Sequence, residues 1–186
     1  RVLFRSEDVG VDGFRLDAIK FITEDGTLQQ NTAQTHAWLR GFHSHVRSVN
    51  LDALLVGEAW TSTTQIIPYV GDEVDIAFEF DLAIGIVRGS SFGINSPLLT
   101  SLQPVLDLYP EGQYATFLTN HDQDRVMSQL RGDVGAARVA ASIYLTLPGV
   151  PFIYYGEEIG MVGVKPDEQI RTPMQWDTTP TTAGFT

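Results

Sequence analysis

Gly13-Phe14-Arg15-Leu16-Asp17-Ala18-Ile19-Lys20 joins a short apolar run to a carboxylate at its end. Val11, Phe14, Leu16, Ala18 and Ile19 are apolar, which suits a buried strand. Arg15 and Asp17 are two apart, so a strand points them to the same side. An arginine beside a carboxylate favours the ionised form of that carboxylate. A carboxylate kept ionised at a strand end is prepared to act as a nucleophile. A structural Arg–Asp pair accounts for the octapeptide alone equally well.

Two later stretches repeat the pattern. Leu54-Leu55-Val56-Gly57-Glu58-Ala59-Trp60 is an apolar run ending in an acid, and Phe117-Leu118-Thr119-Asn120-His121-Asp122 is another. Taken singly, Glu58 can be an acid at a helix N-terminus, and Asn120-His121-Asp122 a capping turn. Taken together and in this order, the three resemble the α-amylase family of glycoside hydrolases, a clan built on a (β/α)8 barrel. Gly-Phe-Arg-Leu-Asp is similar to that family's fourth-strand motif, Gly-Glu-Ala-Trp to its fifth-strand motif and Asn-His-Asp to its seventh-strand motif. The resemblance covers nearly the whole chain.

Strands are expected at Val11–Asp17, Ala53–Gly57 with Glu58 at its end, Asp75–Phe80, Tyr114–Thr119 and Val150–Tyr155. Helical periodicity runs from Thr35 to Val49 through Trp38, Leu39, Phe42, Val46 and Val49. Further helices are expected at Asp81–Gly89, at Pro97–Tyr109 with an interruption at Pro104, and at Gly135–Leu147. The last is apolar nearly all round and is expected to pack on a sheet. Alternating strands and helices imply parallel βαβ units. Five strands are too few for a barrel of eight. The fold expectation is therefore α/β, a partial TIM (β/α)8 barrel of about five parallel strands with flanking helices.

Residues 7–165 are assigned to the C-terminal half of the catalytic barrel. Residues 166–186 are the segment after the last strand, where Arg171-Thr172-Pro173-Met174-Gln175-Trp176-Asp177 resembles oligosaccharide-acting members. Residues 1–6, Arg-Val-Leu-Phe-Arg-Ser, read as a non-native scar. Because the natural N-terminus is expected to be missing, localisation stays open.

Of the 186 residues, 43% are hydrophobic and 19% charged, an ordinary globular balance. The formal charge of −11 argues against nucleic acid and anionic membranes as partners. No cysteine is present, so disulfides and thiolate chemistry are excluded. No apolar run is long enough to span a bilayer. His36, His43 and His45 sit on or near one helix, but His43 and His45 are two apart and do not make one face, so solvated histidines are expected rather than a metal site.

The resemblance implies a retaining α-glycoside hydrolase acting on α-glucans or maltooligosaccharides. Asp17 would be the nucleophile, Glu58 the general acid/base and Asp122 the stabiliser of the cationic transition state. Arg15, Lys20, Trp60 and His121 would contact substrate or position the acids. Retention requires two carboxyl groups about 5–5.5 Å apart. In a barrel such groups come from different strand ends, so loose sequence spacing is expected. No cofactor is expected in this piece. Calcium is frequent in the family, but no run of oxygen ligands resembles a calcium loop. Ala18 is more like members that cut α-1,4 links. Glu157-Glu158 is expected to be a solvated loop, and Tyr155 a core residue. A transglycosylase or trehalose-forming relative and a non-catalytic binding homologue are the alternatives; the intact Asp17, Glu58 and Asp122 set speaks against the latter. The piece alone is expected to be inactive, because five strands cannot close the pocket.

Overall fold

A computed structural model describes residues 10–184. The residues 1–6 assigned to a scar lie outside the described residues. The five strands are β1 (Gly13–Leu16), β2 (Leu54–Gly57), β3 (Ile76–Phe78), β4 (Tyr114–Thr116) and β5 (Val150–Pro151). They form one sheet in sequential order. The pairs β1–β2, β2–β3 and β3–β4 are parallel. Phe152 N–H donates to Thr116 O (2.8 Å), which joins the end of β5 to β4. This is the architecture expected of a partial (β/α)8 barrel.

The helices are α1 (Ala33–Val49), α2 (Thr63–Ile66), α3 (Phe80–Phe92), α4 (Ser96–Leu108), α5 (Val126–Gln129), α6 (Val134–Thr146) and α7 (Asp167–Ile170). The chain divides into two compact units. One holds the residues up to Phe80 with Leu106–Ala115; the other holds Asp81–Val105 with the residues from Thr116 onward.

In the first unit, α1 starts where Thr32 accepts a hydrogen bond from Thr35 N–H (3.0 Å), satisfying one orphan donor. Leu39, Phe42 and Val46 on α1 are buried at helical spacing. Complete burial of a side chain such as Leu39 is worth about 2 kcal/mol. Gly13 lets β1 lie against β2: a Cβ there would sit 2.1 Å from Leu54 O. At Gly57 a Cβ would meet the Ile19 side chain at 2.8 Å. Ile76 is buried, as are Ala77 and Glu79 on the other side of the chain. Both sides of the chain are therefore buried here.

The histidines expected to be solvated are not all so. His36 Nδ1 lies 3.0 Å from both carboxylate oxygens of buried Glu73, and its ring packs on Tyr69 at 4.4 Å. Arg40 donates to the same carboxylate (2.6 Å). Burial pushes the Glu73 carboxyl up, and His36 and Arg40 oppose the shift. His43 Nε2 lies 3.7 Å from Asp75.

In the second unit, α6 begins at Asp133, which accepts from Ala136 N–H (3.0 Å). Only a stripe of α6 is buried, Ala136, Ala140 and Tyr144. Val134, Val139 and Leu145 remain exposed, so the all-round apolar pattern does not correspond to all-round burial. Tyr144 O accepts from Thr116 Oγ1 (2.9 Å), fixing the stripe against β4. The helix α4 runs through Pro104 without a break. A proline removes one helical hydrogen bond, and the apolar face around buried Val105 holds the helix across that gap.

The close approach of β1 and β2 is testable. Gly13→Ala should lower stability by about 3 kcal/mol, read as a shift of the urea midpoint with little change in slope. An unchanged midpoint would show that β1 does not sit this tightly on β2.

Candidate active site

Each proposed acid lies beyond the C-terminal end of a strand. Asp17 follows β1 directly and Glu58 follows β2. Asp122 lies beyond β4, after buried Phe117, Leu118 and Thr119.

In the first unit, backbone bonds join the two strand ends. Glu58 N–H donates to Leu16 O (2.9 Å), and Ile19 N–H donates to Glu58 O (2.9 Å). Between them Ala18 adopts a left-handed conformation, φ 46°. That conformation costs a non-glycine residue about 1–3 kcal/mol. It turns the chain just after Asp17 and aims Ala18 N–H at Glu58 Oε2 (3.0 Å). Arg15 hydrogen-bonds Asp17 through Nη1, while its Nη2 lies 3.6 Å from Glu58 Oε2. One guanidinium thus faces both carboxylates. The Asp17 side chain is 73% exposed and that of Glu58 13%. The Lys20 ammonium donates to Trp60 O (2.7 Å). The Trp60 indole is half exposed and stacks on buried Phe80 at 5.0 Å, presenting its edge and free face to solvent.

In the second unit, Asn120 Oδ1 accepts from Asp122 N–H (2.9 Å), an Asx turn that sets the loop. Asp122 Oδ2 lies 3.3 Å from His121 Nε2. Asp122 Oδ1 accepts from Arg171 Nη2 (2.7 Å), and Arg171 Nε donates to His121 O (2.8 Å). Arg171 Nη2 also lies 2.8 Å from Asp167. Lys165 hydrogen-bonds Asp167 and, with Arg171, holds its carboxyl below the usual range. Arg171 was not among the expected site residues. Its signal was its place in the Arg-Thr-Pro-Met-Gln-Trp-Asp segment.

Three further residues of this unit are placed by specific contacts. Arg125 is fully buried, donates to Tyr155 O (2.7 Å), and lies 4.8 and 4.7 Å from the Tyr154 and Tyr155 ring centroids. Tyr155 is not a core residue: it is 37% exposed, and its hydroxyl donates to Thr172 O (2.6 Å). Its amphipathic ring covers Arg125 while its polar tip reaches the following segment. Glu157 is not a solvated acid either. Its Oε1 accepts from Thr119 Oγ1 (2.6 Å), and its Oε2 is buried without a hydrogen-bond partner. Burial pushes its carboxyl up to about 7, against the pull of Thr119 and of the Tyr154 N–H. Glu158 is exposed. Among the described residues, no group of three or more His, Cys, Asp or Glu side chains is arranged to hold a metal ion.

In each unit an arginine meets a carboxylate that lies beyond a parallel strand's end, Arg15 at Asp17 and Arg171 at Asp122. Residues 2–186 match the family described as alpha amylase, catalytic domain. The chain belongs to the alpha-amylase family. It is 41% identical over 171 residues to "Alpha-amylase 3" of Dictyoglomus thermophilum, covering 90% of this chain and 33% of that protein. It is 30% identical over 223 residues to "Trehalose synthase/amylase TreS" of Mycolicibacterium smegmatis, covering 96% of this chain and 37% of that one. Among solved structures it is similar to an alpha-amylase from H. orenii, with a TM-score of 0.84 and 38% identity over 95% of this chain and 36% of the other. The chain thus spans about a third of the length of these relatives.

The state of Glu157 predicts a pH effect. Its folded pKa lies above the unfolded one, near 4.5. The folded state therefore holds this proton more tightly, and its contribution is full below about pH 4.5 and lost as pH rises through about 7. The loss approaches about 3 kcal/mol. Glu157→Gln should flatten the denaturant midpoint between pH 5 and 8. An equally steep profile in the variant would place the titrating group elsewhere.

Proposed function

We propose that this chain carries the catalytic acids of a retaining α-glucan hydrolase, completed by the rest of its barrel in the whole protein. The observation that carries the proposal is the Arg15 guanidinium facing Asp17 and Glu58 at adjacent strand ends. Glu58 protonates the glycosidic oxygen while exposed Asp17 attacks the anomeric carbon, forming a covalent glycosyl-enzyme and releasing the leaving sugar. Glu58, now a carboxylate, takes a proton from water as that water breaks the glycosyl ester. Both contacts described for the Glu58 carboxylate fall on Oε2, which leaves Oε1 to carry the transferred proton. Asp122, steadied by Arg171, and His121 grip hydroxyls of the distorted sugar. Trp60 offers a stacking face, and Lys20 fixes the loop that carries it. The substrate class is maltooligosaccharide or a longer α-glucan.

Relatives named trehalose synthases favour a second outcome on the same intermediate. A sugar hydroxyl would then replace water as acceptor. Product analysis from maltose separates glucose release from trehalose formation.

In the whole protein, Asp17→Asn should abolish turnover. Glu58→Gln should lose roughly 10²–10⁴-fold on maltooligosaccharides. It should retain glycosylation from α-maltosyl fluoride, whose leaving group needs no proton. Equal losses on both substrates would show that Glu58 is not the acid.

A further inference from the structure

We propose that Glu157 is a positioning residue for Asp122: it anchors the Asn120-His121-Asp122 loop through Thr119, so that gain or loss of its proton is felt at the site. The inference rests on the function proposed above, in which Asp122 grips the substrate.

The geometry is local and lies wholly within the second unit. Thr119 is buried and immediately precedes Asn120. Its hydroxyl donates to Glu157 Oε1 at 2.6 Å, a length typical of a charge-assisted bond. From Asn120 onward the loop is held by its own Asx turn and by Arg171. The Glu157 bond therefore fixes where the loop leaves the β4 end, and Arg171 fixes where Asp122 points. The Asp122 carboxylate hangs between these two anchors. Glu157 is itself held by the turn that follows β5, where Gly156 takes φ 86°. A Cβ at Gly156 would strike Met161 at 2.3 Å and approach Arg125 at 3.1 Å. The carboxylate is therefore delivered by a turn that has little room to move.

A buried carboxylate with one partnered oxygen and one bare one is not explained by stability. A glutamine or a leucine would fill the space without the desolvation cost. The groups facing it are Glu158 on its own turn, Tyr144 from α6, Thr119 from the strand extension and the Tyr154 N–H. Glu158 adds negative charge. Tyr144 is pushed up to about 12 by burial and by the two glutamates, so it stays neutral over the working range. Arg125 donates from Nη1 to Tyr155 O and lies against the two tyrosine rings, its Nε and Nη2 being buried without a hydrogen-bond partner; it makes no ion pair with Glu157. No fixed cation pairs with Glu157 among the described residues, so its charge rises and falls within the ordinary pH range. The ionised form binds the Thr119 hydroxyl more strongly than the neutral form, by roughly fivefold in the equilibrium for loop release. The loop should tighten as pH rises through neutrality.

The test uses the whole protein with Glu157→Gln, which keeps a carbonyl for Thr119 but cannot titrate, and with Thr119→Val and Thr119→Ser. Amide hydrogen exchange of the peptide spanning Thr119–Asp124 is compared with that of Glu157→Gln at each pH, so intrinsic exchange cancels. The wild-type to Glu157→Gln ratio should fall about fivefold between pH 6 and 8. Thr119→Ser should keep the fall and Thr119→Val should lose it. A ratio displaced by a constant factor at all pH values would mean a merely structural bond and would overturn the proposal. The kcat ratio on maltooligosaccharide should rise over the same interval with KM little changed; a flat kcat ratio in an active enzyme would likewise overturn it. If the wild type hydrolyses nothing, the proposed function fails, and the exchange ratio still decides whether Glu157 controls the loop.

Discussion

The arrangement of the first unit depends on three hydrogen bonds that join the end of β1 to the end of β2. Glu58 N–H to Leu16 O, Ile19 N–H to Glu58 O and Ala18 N–H to the Glu58 carboxylate leave neither strand end free to slide. Two of the three are backbone bonds, so they survive changes of side chain. They require β1 to lie closer to β2 than a Cβ at Gly13 would allow. A one-residue slip would reverse the facing of every side chain on β1. Asp17 would then point away from the edge where Glu58 stands. The register, set by apolar burial around Leu55, Val56 and Ile19, is thus also what sets the distance between two carboxylates.

The second unit solves the same problem with side chains. Beyond Thr116 the chain leaves the sheet ladder while staying buried, and Phe117, Leu118 and Thr119 bridge to the Asn-His-Asp turn. Arg171 reaches that turn from a segment far along the chain and makes contacts with His121 O, Asp122 and Asp167 at once. A planar guanidinium can do this because its donors lie in a fixed fork. Lysine in its place would keep the charge and lose the geometry. Membership of the alpha-amylase family is consistent with both devices, since a barrel presents its chemistry on loops that the sheet must hold from below.

The strands and the long helices were legible because burial writes a period into the sequence. Their ends were not. Val11–Asp17 shortens to Gly13–Leu16, and Tyr114–Thr119 to Tyr114–Thr116; buried Phe117 and Leu118 continue past the last ladder residue, so apolar composition cannot mark where pairing stops. Pro104 signalled a break that packing overrode. Arg15 meets both Asp17 and Glu58, a contact between strand ends that the motif spacing alone does not show. The status of Glu157 was illegible. A carboxylate followed by another carboxylate reads as a wet loop, and only the turn at Gly156 and the hydroxyl of Thr119 turn it inward. Tyr155 misled for the opposite reason: aromatic residues are read as core, yet this one lies over a buried arginine.

The position of Arg15 has one further consequence for the proposed reaction. A cation placed among catalytic carboxylates opposes the positive charge that develops on the sugar, so its presence needs a reason. The reason lies in where negative charge moves. Before reaction Asp17 carries it; once the glycosyl ester forms, Asp17 is neutral and Glu58, having given its proton to the leaving oxygen, is the anion. Arg15 touches Asp17 and stands 3.6 Å from Glu58 Oε2, so it meets the charge at both ends of the step. At that separation a unit pair in a surface-like dielectric is worth about 4–5 kcal/mol before desolvation is counted. The guanidinium need not travel with the charge, and little of its interaction is lost as the charge crosses. An arginine two residues before the nucleophile, on the same side of the strand, is the shortest route to such an arrangement.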